Sequence, residues 1–319
     1  RLGRSVHEDS ARGASFGVGS RASRLMPRSI SRPASLFWVS FAYLAALGVA
    51  AVVARMSGPA THPLWVLAAA DAAATVTVFA FSVGFDNTSM YDPYWSVAPI
   101  AIGPWLASRP VAANAPLART VLVIALVSLW GVRLTYNWAV GSPGLSHEDW
   151  RYAEYRTKAG RAYWLLSFFG LHFMPTVMVF LGCLPLLPAL TSARPIGALD
   201  VVAAAVTLGA IAIETVADAQ LRAFRRKRKG PSEMLDTGLW ALSRHPNYFG
   251  EVMFWWGVFL FGVASGEAAA WTAAGALAIT ALFAFISIPM MDRRSAARRP
   301  EYAEYMRRVS RLVPWFPRR

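Results

Sequence analysis

Asp218, Arg222 and Arg225 stand at i, i+4 and i+7, an acid and two guanidinium groups on one face of a helix. An acid at the end of an apolar helix is costly unless it pairs or accepts hydrogen bonds from a ligand. A salt bridge to Arg222 is one way to satisfy it. The other is a ligand that uses both signs: the run RAFRRKRK over 222–229 offers planar forks that match phosphate oxygens, and a nucleotide would give the acid its ribose or amide donors. A second polar cluster, SRHPNYFGE over 243–251, places Arg244, His245, Asn247, Tyr248 and Glu251 at the mouth of the apolar run VMFWWGVFLFG. Helix-start chemistry accounts for most of it. Pro246 forces His245 out of the helical region, Asn247 is placed to cap, Tyr248 suits an interface, and Arg244 can snorkel to lipid phosphate. It leaves out Glu251, which lies a full turn inside and must face protein or ligand.

Three further groups carry possible chemistry. In MYDPYWSVAP, Asp92 sits between Tyr91 and Tyr94 at a membrane entry. A desolvated carboxyl group beside phenols can hold and donate a proton, although tyrosines there also form the ordinary interfacial belt. Arg133 and Asn137 lie at i, i+4 inside an apolar run, and SHEDWRY places Arg151 after the loop that follows. Cys183 is the one cysteine, which excludes disulfides within the chain and a cysteine-based zinc site, and no two of the five histidines are spaced as metal ligands. No glycine-rich dinucleotide fingerprint, P-loop, nucleophile elbow or zincin motif is present.

The elements that must position these groups are membrane helices. Of 319 residues, 55% are hydrophobic and 16% charged, with 13 Trp and 18 Phe, the profile of a polytopic membrane protein. Runs near 36–55, 63–85, 118–138, 163–188, 197–217, 250–266 and 268–290 are long enough to span, and a short proline-bearing piece lies near 95–107. An all-α bundle of seven to eight transmembrane helices follows. The net charge of +14 lies between the spans rather than on a soluble face, which argues topology and not nucleic acid. Basic residues crowd 222–229, 151–161 and the tail after Met291, so these loops and the C-terminal tail are expected to be cytosolic; which membrane holds the protein is left open. Residues 1–34, with seven Arg, seven Ser and no Lys, read as a targeting or disordered segment outside the fold. Residues 35–319 then form one membrane domain, with its cofactor half over about 130–319, and no obligate protein partner is implied.

Taken together, YDPYWSVAP, EDWRY, GLWALSRHPNYFGE and the tail RRPEYAEYMRRVSRLVPWFP resemble the DUF1295 family, relatives of steroid 5-alpha-reductase and of the sterol delta-14 and delta-7 reductases. The resemblance implies a helical membrane reductase that binds NADPH in its C-terminal half and reduces an activated C=C bond of a sterol-like or other lipid. It implies cofactor roles for Asp218, Arg222, Arg225, Asn247 and Glu251, an approach of Arg133 to the nicotinamide half, and closure by Asp292, Arg293, Arg294 and Tyr305. Arg151, Asn137, Arg244, His245 and Tyr248 join that set. Asp92 takes the place of the glutamate that polarises a steroid ketone. Trp130 stands where the 5-alpha-reductases place a tyrosine, so either Tyr91, Tyr94 or Tyr136 supplies the proton or the substrate is not a 3-oxo-steroid. The same RHPNYFG and Y-x-x-Y tail also resemble S-adenosylmethionine-dependent membrane methyltransferases of the isoprenylcysteine and phospholipid classes. A lipid-binding protein with a degenerate pocket is a third possibility.

Overall fold

Apolar runs bounded by proline and small capping residues set the helices. The computed structural model describes residues 30–318 apart from Lys229 and Pro231. Its helices are α1 (Arg32–Met56), α2 (Pro63–Gly84), α3 (Tyr94–Ala107), α4 (Leu117–Gly141) and α5 (Trp150–Ala159). They continue as α6 (Tyr163–Leu166 and Met174–Cys183, joined by the π turn Ser167–Phe173), α7 (Leu186–Thr191), α8 (Ala198–Lys227) and α9 (Pro246–Ala264). The last two are α10 (Ala274–Ala281 and Ile288–Arg298, joined by the π turn Leu282–Ser287) and α11 (Tyr302–Arg308). Ser31 caps α1 and Asp149 caps α5, each accepting a backbone N–H, while Gly160 at φ +51° turns the chain from α5 into α6. Of the expected N-terminal segment, residues 1–29 lie outside the described residues; Arg32, Pro33 and Ala34 already belong to α1.

Six stretches are long and apolar enough to cross a membrane: Arg32–Met56, Pro63–Gly84, Leu117–Gly141, Trp150–Cys183, Ala198–Lys227 and Ala270–Arg298. The protein is a multi-pass helical membrane protein. Of the other two expected spans, α9 has 19 residues and opens on Pro-Asn-Tyr, and α3 has 14 residues with Pro99 and Pro104 inside it. The basic start of the 222–229 run is helical, since α8 continues through Arg222 to Lys227.

The bundle is apolar on both faces, as a lipid solvent allows. Phe37, Leu44, Val201 and Phe285 face outward, while Trp130, Phe254, Trp255 and Phe261 fill a core shared by α4, α6, α7, α8 and α9. A second cluster, with Tyr43, Val78, Tyr91 and Tyr94, joins α1, α2 and α3. Close approach of α8 and α9 depends on glycine. A Cβ on Gly250 would lie 2.8 Å from the Ala210 carbonyl, and one on Gly257 would lie 2.2 Å from the Thr207 hydroxyl. That contact brings Asn247 and Glu251 against the polar face of α8. At the other end of α4 and α8, buried Arg119 donates to Asp200 at 2.6 Å and to the Arg194 carbonyl at 2.8 Å, which fixes the register of the two helices.

Candidate functional site

Where α8, α9, α10 and α11 converge, they enclose a cavity of about 420 Å³, with Leu221, Tyr248 and Met291 among its apolar walls. Six arginines line it: Arg225, Arg228, Arg244, Arg294, Arg298 and Arg299. No carboxylate does so among the described residues. Burial, and then the charges of Arg228 and Arg298, lowers the pKa of Arg299 below its ordinary value. His245, Asn247, Ser295, Tyr302 and Tyr305 add to the polar lining.

Asp292 organises this wall from behind. His245 Nε2 lies 2.9 Å from its Oδ1, Arg244 Nη2 3.1 Å from its Oδ2, and Tyr302 donates to it at 2.6 Å. Tyr305 donates to the Trp240 carbonyl at 2.5 Å. The backbone N–H of Arg244 donates to Ser310 at 2.9 Å, so the tail is strapped across the start of α9. Arg244 Nε is buried with no partner.

Below Asn247 runs a second, fully packed polar network. Arg133 Nη1 reaches Asp218 Oδ2 at 3.0 Å and Arg133 Nη2 reaches Glu214 at 2.5 Å. Asn137 donates to Asp218 at 3.1 Å, Asn247 donates to it at 3.4 Å, and Arg222 donates to Asn137. Glu251 accepts the indole N–H of Trp130 at 3.0 Å and of Trp255 at 2.8 Å. Trp130 is fully buried and its only donor is engaged.

Asp92 lines a separate cavity of about 380 Å³ between α1, α4 and the loop before α5. Tyr152 donates to Asp92 Oδ1 at 2.5 Å. Burial outweighs that hydrogen bond and the Arg151 charge, and pushes the carboxyl up to about 6. This cavity and the arginine-walled one share two lining residues, Trp150 and Arg294, whose guanidinium sits 3.5 Å above the indole ring.

Measured against the sequence expectations, the structure gathers Arg225, Arg244, His245, Asn247, Tyr248, Arg294 and Tyr305 at one cavity. Arg133, Asn137, Asp218, Arg222 and Glu251 sit beneath it, and Asp292 behind it. Four expectations are corrected. Asp218 pairs with Arg133 rather than Arg222, because α4 supplies a guanidinium from across the bundle. Asn247 does not cap α9: His245 holds the N-cap position and the Asn247 amide reaches Asp218 instead. Arg151 pairs with Asp149 at 2.8 Å, and Arg293 donates to the Pro289 carbonyl at 3.1 Å, so both face an outer cleft beside Lys158 rather than the arginine-walled cavity. Tyr91 and Tyr94 do not join Asp92. The turn from Thr88 to Tyr91 into α3 points their hydroxyls inward, to Thr176 at 2.7 Å and Asp71 at 2.8 Å.

Several participants were given no site role in the sequence. Tyr152, two residues on from Glu148-Asp149-Trp150, takes the partnership with Asp92 expected of the nearer tyrosines. Glu214 stands one turn before Asp218, and Arg298 and Arg299 belong to a basic tail read there as topology, while Arg228 was only part of a run read both as topology and as phosphate-matching. Asp71, alone in an apolar span, was the plainest signal overlooked.

These features define a multi-pass helical membrane protein whose polar side chains converge on an arginine-walled cavity beside a buried acid. The chain belongs to the DUF1295 family, described as a protein of unknown function, which it matches over residues 78–309. It is 27% identical over 256 residues to an uncharacterized protein of Schizosaccharomyces pombe, an alignment covering 73% of this chain and 74% of the relative. No solved structure matches it.

Proposed function

We propose that this chain is a membrane reductase that takes NADPH in the arginine-walled cavity and reduces an activated C=C bond of a lipid held against Asp92. The observation that carries this is the wall itself: six arginines and, among the described residues, no carboxylate around about 420 Å³. Guanidinium forks match phosphate oxygens, so a wall of this kind suits a multivalent anion. Arg225, Arg228, Arg298 and Arg299 would hold phosphates, with Asn247 and Tyr248 as neutral neighbours. When bound, the dinucleotide supplies a hydride.

The remaining work falls to the chain. An activated alkene accumulates negative charge as it is reduced, and a fixed proton donor in a dry site stabilises that charge. Asp92, raised to about 6 and hydrogen-bonded by Tyr152, holds a proton that can be passed on near neutral pH. Leu36, Val39 and Trp138 give that cavity apolar walls. The two cavities meeting at Trp150 and Arg294 support a cofactor and a substrate that react across that boundary. By the positive-inside rule this face of the bundle is cytosolic.

S-adenosylmethionine has no phosphate and carries a sulfonium cation, so a cationic wall disfavours the methyltransferase alternative. A panel of sterol, isoprenoid and fatty enones incubated with the purified protein and NADPH tests the proposal. Reduced product should form from at least one class and disappear in Asp92→Asn. Methyl transfer to the same lipids would replace it.

A further inference from the structure

Asp71 is the single ionisable residue of α2 from Pro63 to Gly84, and it is only 7% exposed. Its Oδ1 accepts the Tyr94 hydroxyl at 2.8 Å. Its Oδ2 is buried with no partner. Burying half of a carboxyl group without a partner in a membrane helix is the exception that marks a ligand site. Asp71 and Tyr94 are the polar groups of a groove of about 150 Å³ between α1, α2 and α3. The other walls are apolar and mostly small, including Ala51, Ala54, Ala70, Ala98, Ala101 and Trp105. Ala51 and Ala101 are exposed, so the groove opens on the outer face of the bundle. It shares no lining residue with the Asp92 cavity or the arginine-walled cavity.

We propose that this groove binds an apolar lipid alcohol, one ring or chain end carrying a single hydroxyl that hydrogen-bonds to Asp71. A cavity of this size holds about one ring. A hydroxyl both donates and accepts, so it satisfies the free oxygen whether the carboxyl group is ionised or protonated. A ketone can answer only the protonated form. A metal cation is excluded by the count of ligands, since one carboxyl group and one phenol cannot replace the six or more oxygens of a hydrated ion. The small side chains along α1 and α3 leave room for the apolar body, and the opening toward lipid supplies an entry path that bypasses the arginines.

The test uses the full chain in lipid nanodiscs and two photoreactive probes, a medium-chain primary alcohol with a mid-chain diazirine and the matched alkane. The alcohol should label residues of α1 and α3 around Ala51 and Ala101, with competition by unlabelled alcohol. The alkane should label the same residues roughly ten- to hundredfold less, the worth of one buried polar contact. Asp71→Leu should abolish the preference. Ala101→Phe fills the exposed mouth while leaving Asp71 and its tyrosine in place, and should abolish labelling with an unchanged thermal unfolding temperature. Equal labelling by the two probes would show bulk lipid in the groove and overturn the proposal. So would a stronger response to a matched amine, or a preference that survives both variants.

Discussion

Arg133 bridges two acids of one helix: its guanidinium lies 3.0 Å from Asp218 and 2.5 Å from Glu214, one turn apart on α8. All three groups are largely withdrawn from solvent, with side chains 13%, 9% and 5% exposed. A single cation from α4 therefore ties together two acids of α8 and fixes how the two helices pack. Asn137 and Asn247 complete the shell around Asp218.

Arg133→Met strands two buried acids and should lower stability by about 3–5 kcal/mol. Asp218→Ala leaves Arg133 its Glu214 partner and should cost less, about 1–3 kcal/mol. Thermal unfolding in detergent measures both. A loss in Arg133→Met near the ~1 kcal/mol of a surface pair would contradict this burial.

Glu251 accepts two indole N–H groups, from Trp130 and Trp255. Glu251→Gln keeps one acceptor and should cost about 1–3 kcal/mol, whereas Glu251→Leu leaves both indoles unpaired and should cost roughly twice that. Equal losses in the two variants would mean that packing volume, not hydrogen bonding, sets the position.

The pH dependence follows from Asp92. Its folded pKa, about 6, lies above the ordinary 3.8, so the contribution of its protonated form to stability is full below 3.8 and lost as pH rises through about 6. Turnover that needs this proton follows the same titration: kcat/KM should fall tenfold per pH unit above about 6. Asp92→Asn should be inactive at every pH in that range. Arg151→Ala, which takes away a charge that lowers the Asp92 pKa, should move the limb upward. A profile flat from pH 5 to 8 in the unaltered protein would exclude Asp92 as the donor.

Asp292 holds His245, Arg244 and Tyr302 together from outside the arginine-walled cavity. Asp292→Ala should loosen the strap formed by the tail and weaken anion binding about tenfold, with Asp292→Asn in between. Limited proteolysis should cut near residues 302–312 faster in the alanine variant. An unchanged cleavage rate would show that the backbone bonds at Ser310 suffice.

Much of this was legible because the bilayer simplifies the code. Long apolar runs declare helices such as α1, α2 and α4, and an ionisable residue inside or beside one, such as Arg133 or Glu251, declares an internal partner. What sequence spacing conveys poorly is partner choice. Asp218 has Arg222 one turn away, yet tertiary packing gives it Arg133, and Tyr91 and Tyr94 adjoin Asp92 in the chain while a turn sends their hydroxyls elsewhere. Tyr152 reaches Asp92 from 60 residues away, a pairing no local pattern encodes. Arginines that set topology and arginines that line a cavity look alike in sequence. Only the convergence of α8, α10 and the tail separates Arg228, Arg298 and Arg299 from the rest.

The central claim is a phosphate-bearing dinucleotide in the arginine-walled cavity, and equilibrium binding of NADPH, NADH and S-adenosylmethionine to the purified protein tests it most directly. NADPH should bind most tightly, NADH more weakly for lack of the 2′-phosphate, and S-adenosylmethionine not measurably. Affinity for NADPH should fall with salt and, in Arg228→Ala and Arg298→Ala, by about tenfold each, consistent with hydrogen bonds to charged groups. Binding of S-adenosylmethionine without NADPH, or NADPH affinity indifferent to both arginines, would contradict the account.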